Sequence, residues 1–267
     1  MGAGLLVISH GSREAGWVAL VDRTVEAVRA ALGGEMLVEA AFLELVEGRL
    51  IQDGVDRLEA AGVDRILALP LFVSSGSTHV DEIGWALGAY AKPKLETDLA
   101  RVAVRAELTY GSPMDDAPEI VDVLLDRLAA LSSCASEESV LLIGHGSREP
   151  GFKETWQSGM ASLGEQLIAR GGFRGYAGAL LQLEEVGERY QELVALSGGD
   201  GRSVLVAPLF LSEGYFTATV IPRALKGLEC RYDGRAYMPH PRVAEWIVRE
   251  AREWLAGVGA NPVGGKR

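Results

Sequence analysis

The stretch LLVISHGSRE at residues 5–14 returns as VLLIGHGSRE at residues 140–149. A duplication of this length constrains the fold more than any composition figure, because it predicts two similar halves, each a supersecondary assembly of its own. The apolar run suits a buried strand in both copies. Packing alone, however, requires neither the histidine nor the Gly-Ser-Arg-Glu that follows it. The rest of the chain starts over as well: YAGALLQL (176–183) stands where VEAAFLEL (38–45) stood, and VLVAPLFLSEG (204–214) answers ILALPLFVSSG (66–76). Between the copies SSCASEES (132–139) is small, polar and without periodicity, which reads as a linker. The expected division is therefore residues 1–131 and 140–260, with ANPVGGKR (260–267) as a disordered tail.

Within each copy, apolar runs alternate with amphipathic stretches, the pattern of a mostly parallel sheet covered by helices. In the first copy GLLVIS, MLVEAAFLEL, DRILALPLFV and RVAVRAEL read as four strands. Between them fall a helix carrying Val18, Val21, Val25, Val28 and Leu32 on one face, a helix over Leu50–Ala61, and a helix over His79–Ala91. Ile120, Val121, Leu124, Leu125, Leu128 and Leu131 define a closing helix, and Phe152, Trp156, Met160, Leu163 and Leu167 repeat the first helical stripe in the second copy. The expected fold class is α/β, with two similar halves, each a mostly parallel four-stranded sheet flanked by helices. The crevice between such halves is a natural place for a ligand.

Composition narrows the function. A net charge of −11 repels nucleic acid and anionic lipid, and no basic run offsets it. No apolar stretch reaches the roughly 20 residues of a membrane span. The opening MGAGLLVISHG has neither a basic leader nor a cleavage pattern, so the cytoplasm is expected. Two cysteines, Cys134 and Cys230, with no CxxC pair, argue against a disulfide scaffold, a zinc ribbon and a cysteine-ligated cluster.

The chemistry concentrates where parallel sheets keep it, beyond the carboxyl ends of the strands. His10 ends the first strand, Glu44 the second, and His79 follows the third. Two imidazoles and a carboxylate suit a divalent first-row metal while leaving coordination positions open to a substrate. A single histidine at a strand end is more often a hydrogen-bonded loop residue. Yet the chain has only four histidines, two of them at equivalent strand ends and a third the repeat of the first. Gly11 permits a tight turn, and Ser12 is a candidate amino-cap that would turn free helix N–H groups toward His10. Arg13 adds a guanidinium suited to carboxylate, and Ser147 with Arg148 repeats the arrangement; a plain cap with a solvated arginine is the alternative.

The second copy departs from the first. Alignment sets His79 against Thr217 and Glu44 against Gln182, so only His145 of the three candidate ligands is kept. Catalysis is accordingly expected in the first half. In the second, Glu213, Tyr215 and Phe216 are placed to meet a flat hydrophobic ligand, or to serve as core.

Taken together, HGSRE, FLEL and PLFVSSGSTHVDEI resemble the sirohydrochlorin chelatases of the CbiX and SirB type, class II tetrapyrrole chelatases, and the duplicated GHGSRE and PLFLSEGYF resemble the second repeat of their long form. The resemblance implies two flavodoxin-like or chelatase-like halves around a cleft, and insertion of Co2+ or Fe2+ into sirohydrochlorin, on the route to cobalamin or siroheme. It places His10 and His79 as metal-binding and catalytic histidines and Glu44 as their acidic partner. The metal is then a substrate, and no permanently bound cofactor is expected. The substrate side is assigned to Ser12, Arg13, His145, Ser147 and Arg148. Internal duplication favours a monomer. A non-catalytic tetrapyrrole or metal carrier of the same fold is the alternative, whereas a hydrolase or phosphoryl-transfer enzyme is disfavoured because neither GxSxG nor GxxxxGK[ST] occurs.

Overall fold

A computed structural model describes residues 2–198 and 200–257. The expected tail at 260–267 lies outside the described residues. Elements run β1 (Gly2–Ser9), α1 (Ala15–Leu32), β2 (Leu37–Phe42), α2 (Ile51–Ala60), β3 (Val63–Pro70), α3 (Thr78–Ala86), β4 (Glu107–Tyr110), α4 (Pro118–Ala129), β5 (Ser139–Gly144), α5 (Phe152–Gly171), β6 (Gly175–Leu180), α6 (Val186–Leu196), β7 (Val204–Leu209), α7 (Ile221–Ala224) and α8 (Pro241–Leu255). Among the described residues no helix is long and apolar enough to cross a membrane.

Residues pack into two compact units. One comprises Met1–Met114 and the stretch from Val243, the other Asp115–Arg242. The sequence repeat and the packing units thus differ in their last helix: α4, which closes the first repeat, packs in the second unit, and α8, which closes the second repeat, packs in the first. Side chains fix both placements. Asp116 accepts a hydrogen bond from Ser162, and Asp122 pairs with Arg170 on α5. In the first unit Trp254 of α8 donates its indole N–H to Thr109 of β4 at 3.0 Å, while Arg65 lies 4.8 Å over the Trp254 ring.

The first unit holds a four-stranded parallel sheet ordered β2-β1-β3-β4. Leu5 to Ile8 of the central strand are completely buried, as a run covered by helices on both faces requires. Leu6 and Ile8 share a core with Val55 and Leu58 of α2 and Ile83 of α3. The fourth strand is shorter and later than RVAVRAEL suggested. Residues 87–106 join α3 to β4 as a strap, and over 101–106 its backbone groups bond side chains, Ala103 to Gln52 and Ala106 to Glu59, instead of a neighbouring strand. Likewise α3 stops at Ala86, short of the expected Ala91, because the chain turns through Gly88 at φ 83°.

The second unit has a three-stranded parallel sheet, β6-β5-β7, so the expectation of four strands fails here. At the fourth position, among the described residues, Arg231 alone pairs with the edge of β7, through Val206 N to Arg231 O and Arg231 N to Val204 O. Flanking RYDG has no apolar run to bury, which explains the loss. The presumed linker is also more ordered than its composition suggested: residues 135–137 make one 3-10 turn, anchored by the buried Glu138.

Candidate active site

In the first unit the chain passes from β1 to β2 on one side and then to β3 on the other, which puts a crevice beyond the carboxyl end of β1. His10 stands there, one residue past the strand. Next comes Gly11 at φ 101°, where a Cβ would lie 1.9 Å from the Glu44 carbonyl oxygen. Only glycine lets the two loops press together so closely. The ladder continues past the strand ends, Leu43 N to Ser9 O at 2.8 Å and Glu44 N to His10 O at 3.0 Å. Leu45 then turns the chain at φ 66°, a conformation unusual for leucine. These contacts hold the Glu44 carboxylate 3.8 Å from His10 Nε2.

His79 arrives in the first turn of α3. The preceding loop is braced by Leu71 N to Ile8 O at 2.7 Å and by the buried Ser74, whose hydroxyl accepts from Gly76 N at 3.0 Å. The His79 ring stands edge-on to that of His10, with centroids 4.7 Å apart and planes at 82°, and Phe72 lies 6.4 Å away. Both imidazoles remain partly open, with side-chain exposures of 37% for His10 and 43% for His79, so a ligand can reach them.

Hydrogen bonding decides which ring nitrogens face that ligand. His10 Nδ1 lies 3.1 Å from the Gly11 carbonyl, and His79 Nδ1 lies 2.6 Å from Glu82 Oε1. A carbonyl and a carboxylate only accept, so each Nδ1 donates its proton, and each Nε2 in the neutral ring presents a lone pair. Imidazole lone pairs of this kind are ligands that divalent first-row metals accept. Among the described residues no group of three or more His, Cys, Asp or Glu side chains is arranged to hold a metal ion, so Glu44 stands beside the two imidazoles and does not complete a three-ligand set with them.

Sequence-predicted residues fall into two sets. His10, Glu44 and His79 converge in the first unit, and Ser12 and Arg13 follow His10 in its loop. Ser12 is not the helix cap it was expected to be: α1 begins at Ala15 behind Glu14, and the Ser12 hydroxyl accepts from Glu14 N at 3.0 Å within the turn. Arg13 is exposed. In the second unit Ser147 repeats the turn with Glu149 N at 3.1 Å, while α5 begins only at Phe152. Arg148 donates Nε–H to the Gln182 carbonyl at 2.8 Å. His145 Nε2 meets Gln182 Nε2 at 3.0 Å, and its ring stands edge-on to Phe216 at 4.9 Å and 86°. Phe216 is thus half-buried beside the histidine, and Tyr215 is exposed. Glu82 and Thr97 escaped the sequence reading. For Glu82 the His-x-x-Glu spacing on a helix was an available signal, since residues three apart share a face.

The CbiX family model matches residues 4–131 and again residues 139–254. The chain belongs to the CbiX family. Among relatives of this CbiX protein, a sirohydrochlorin ferrochelatase of Bacillus subtilis is 24% identical over 94% of this chain and 92% of its own length. A sirohydrochlorin cobaltochelatase of Methanopyrus kandleri is 28% identical over 46% of this chain and 93% of its own length. The fold is shared with the structure of SirB from Bacillus subtilis with Fe3+, at TM-score 0.72, 21% identity and 95% coverage of both chains.

Proposed function

We propose that this CbiX protein inserts a divalent metal, Co2+ or Fe2+, into sirohydrochlorin, and that the first unit carries the reaction. The pair of imidazoles that present Nε2 beside Glu44 is the observation that supports it most directly. Relatives named for the cobalt and the iron reaction give the substrate class and leave both metals in play.

Insertion exchanges one M2+ for two pyrrole protons. The site therefore has to hold the ion loosely and supply proton acceptors. His10 and His79 hold the arriving ion through Nε2, a borderline ligand that binds such metals and still gives them up. Glu44 accepts one proton, and an imidazole relieved of the metal accepts the other. The exposed Arg13 is our candidate for a substrate carboxylate; Arg148 already has a partner in the Gln182 carbonyl.

Following the absorbance of sirohydrochlorin mixed with Co2+ or Fe2+ tests the reading. Purified protein should accelerate insertion over buffer, His10→Ala and His79→Ala should each lose ~100-fold or more, and His145→Ala, expected above on the substrate side but with its Nε2 taken up by the Gln182 amide, should stay within ~3-fold. A wild-type rate equal to that of buffer sinks the enzyme and leaves the carrier.

A further inference from the structure

We propose that Glu82 is a positioning residue for His79, fixing which nitrogen the ring offers to metal, and that Thr97 fixes Glu82 in turn. The claim rests on the proposed metal-handling role of His79. Glu82 Oε1 accepts the His79 Nδ1 proton at 2.6 Å, the length of a strong charge-assisted bond. Its other oxygen accepts from the Thr97 hydroxyl at 2.7 Å, and the Thr97 oxygen accepts from Leu99 N at 3.1 Å. The chain of bonds has one direction: Leu99 N–H gives to Thr97, Thr97 O–H to Glu82, and His79 Nδ1–H to the same carboxylate. Because the Leu99 N–H points at the Thr97 oxygen, the hydroxyl proton is left to turn toward Glu82.

Thr97 lies far from His79 in sequence, on the strap that joins α3 to β4. The strap is tied to α3 on both sides of Thr97: Lys94 N donates to Asp81 Oδ2 at 2.7 Å, and Val102 N to Ala86 O at 2.9 Å. Arg101 additionally lies 4.3 Å over the Trp85 ring. Thr97 is thus a fixed anchor, and Glu82 is only 22% exposed. His10 Nδ1 instead meets a backbone acceptor, the neighbouring Gly11 carbonyl at 3.1 Å, and among the described residues no carboxylate holds it. His79 is thereby the rigid ligand of the pair. Carboxylates that hold a ligating imidazole in this way typically change metal affinity or activity by roughly 10–100-fold when removed.

The experiment compares Glu82→Ala, Glu82→Gln and Thr97→Val with wild type. Co2+ affinity is measured by calorimetry, kcat and KM by insertion into sirohydrochlorin, and the His79 tautomer by long-range 15N–1H NMR of the rings. Glu82→Ala should weaken Co2+ by ~10-fold or more and lower kcat with KM for the macrocycle held within ~2-fold, and the His79 proton should spread over both nitrogens. Glu82→Gln, whose carbonyl can still accept from Nδ1, should recover the tautomer and lie within ~5-fold of wild type. Thr97→Val, remote from the ring, should cost ~3-fold in affinity and keeps the test alive should Glu82→Ala fail to fold. An unchanged tautomer and Co2+ affinity in Glu82→Ala, or in Thr97→Val alone, overturns the proposal. If wild type shows the fixed tautomer and binds Co2+ but leaves sirohydrochlorin unaltered, the positioning stands and the function fails.

Discussion

The two histidine corners share a frame and differ in their lone pairs. Glu44 N bonds His10 O at 3.0 Å, and Gln182 N bonds His145 O at 3.1 Å. In each corner an edge-on ring faces the histidine at nearly the same distance and angle, His79 in the first unit and Phe216 in the second. What changes is the chemistry. His10 Nε2 looks toward a carboxylate, which leaves its lone pair available to a cation. His145 Nε2 meets the Gln182 amide nitrogen, a donor, so the lone pair is already taken, and Phe216 has none to add. The edge-on ring contact is therefore packing that any aromatic can satisfy, and metal chemistry needs the acceptor atoms placed upon it.

The largest expected separation between the corners comes from their glycines. At Gly11 an added methyl would sit 1.9 Å from the backbone oxygen of Glu44, and at Gly146 the nearest atom is Leu180 Cβ at 2.8 Å. Both have positive φ, so alanine is strained at either site. Only at Gly11 does the clash push apart the loops that carry His10 and Glu44. Gly11→Ala should lower insertion at least ~20-fold and stability by about 3 kcal/mol, whereas Gly146→Ala should cost about 1–2 kcal/mol and leave the rate within ~2-fold. Equal rate losses in the two variants would break the assignment of chemistry to the first corner.

Restoring acceptors to the second corner sharpens the comparison. In the double variant Gln182→Glu with Phe216→His, the amide donor becomes a carboxylate and the facing ring gains nitrogens. Calorimetry should show a second Co2+ site, weaker than the first by ~10-fold or more, because Thr219, three residues past Phe216, has no carboxylate to take the part of Glu82. If the added groups bind no metal, then ring placement alone does not explain the difference.

Much of this was legible in the chain because it rested on local pattern. Repetition of the apolar run with its histidine gave the two sheets, and period-three-and-four spacing gave the buried stripe Val21, Val25, Val28 and Leu32. The convergence of His10, Glu44 and His79 followed from strand ends being neighbours in a parallel sheet. Non-local features were hidden. Alignment paired His79 with Thr217, but the ring that faces His145 belongs to the neighbouring Phe216, at the start of a five-residue π-turn over residues 216–220. Thr97 could not be found because its link to Glu82 depends on a strap whose only ties are side chains and isolated backbone bonds. The failed fourth strand of the second sheet has the same origin, since RYDG pairs at a single residue.

The smallest effect on chemistry is expected from two buried carboxylates that hold loops together. Glu59 in the first unit accepts from Arg105 N at 2.6 Å and Ala106 N at 2.9 Å and pairs with an Arg105 that is 83% exposed. Glu138 in the second accepts from Ser133 N at 2.8 Å and Cys134 N at 3.1 Å, and its partner Arg231 also binds the Leu131 and Arg202 carbonyls. Burial pushes the Glu138 carboxyl up, but the Ser132 hydroxyl, the two N–H groups and Arg231 outweigh it and hold the group at about 2, against an ordinary 4.5. A depressed carboxyl stabilises the fold above its unfolded value and loses that contribution as pH falls toward the folded one. Wild type should therefore lose melting temperature between pH 4.5 and about 2 by an increment that Glu138→Gln lacks, while at pH 7 Glu138→Gln should cost about 3 kcal/mol with the insertion rate unchanged. Arg105→Met, whose partner keeps its backbone donors and whose own side chain is in water, should cost under about 1 kcal/mol. Calorimetric melts across that pH range decide the matter: parallel curves for wild type and Glu138→Gln would show that this carboxylate does not secure the junction between the repeats.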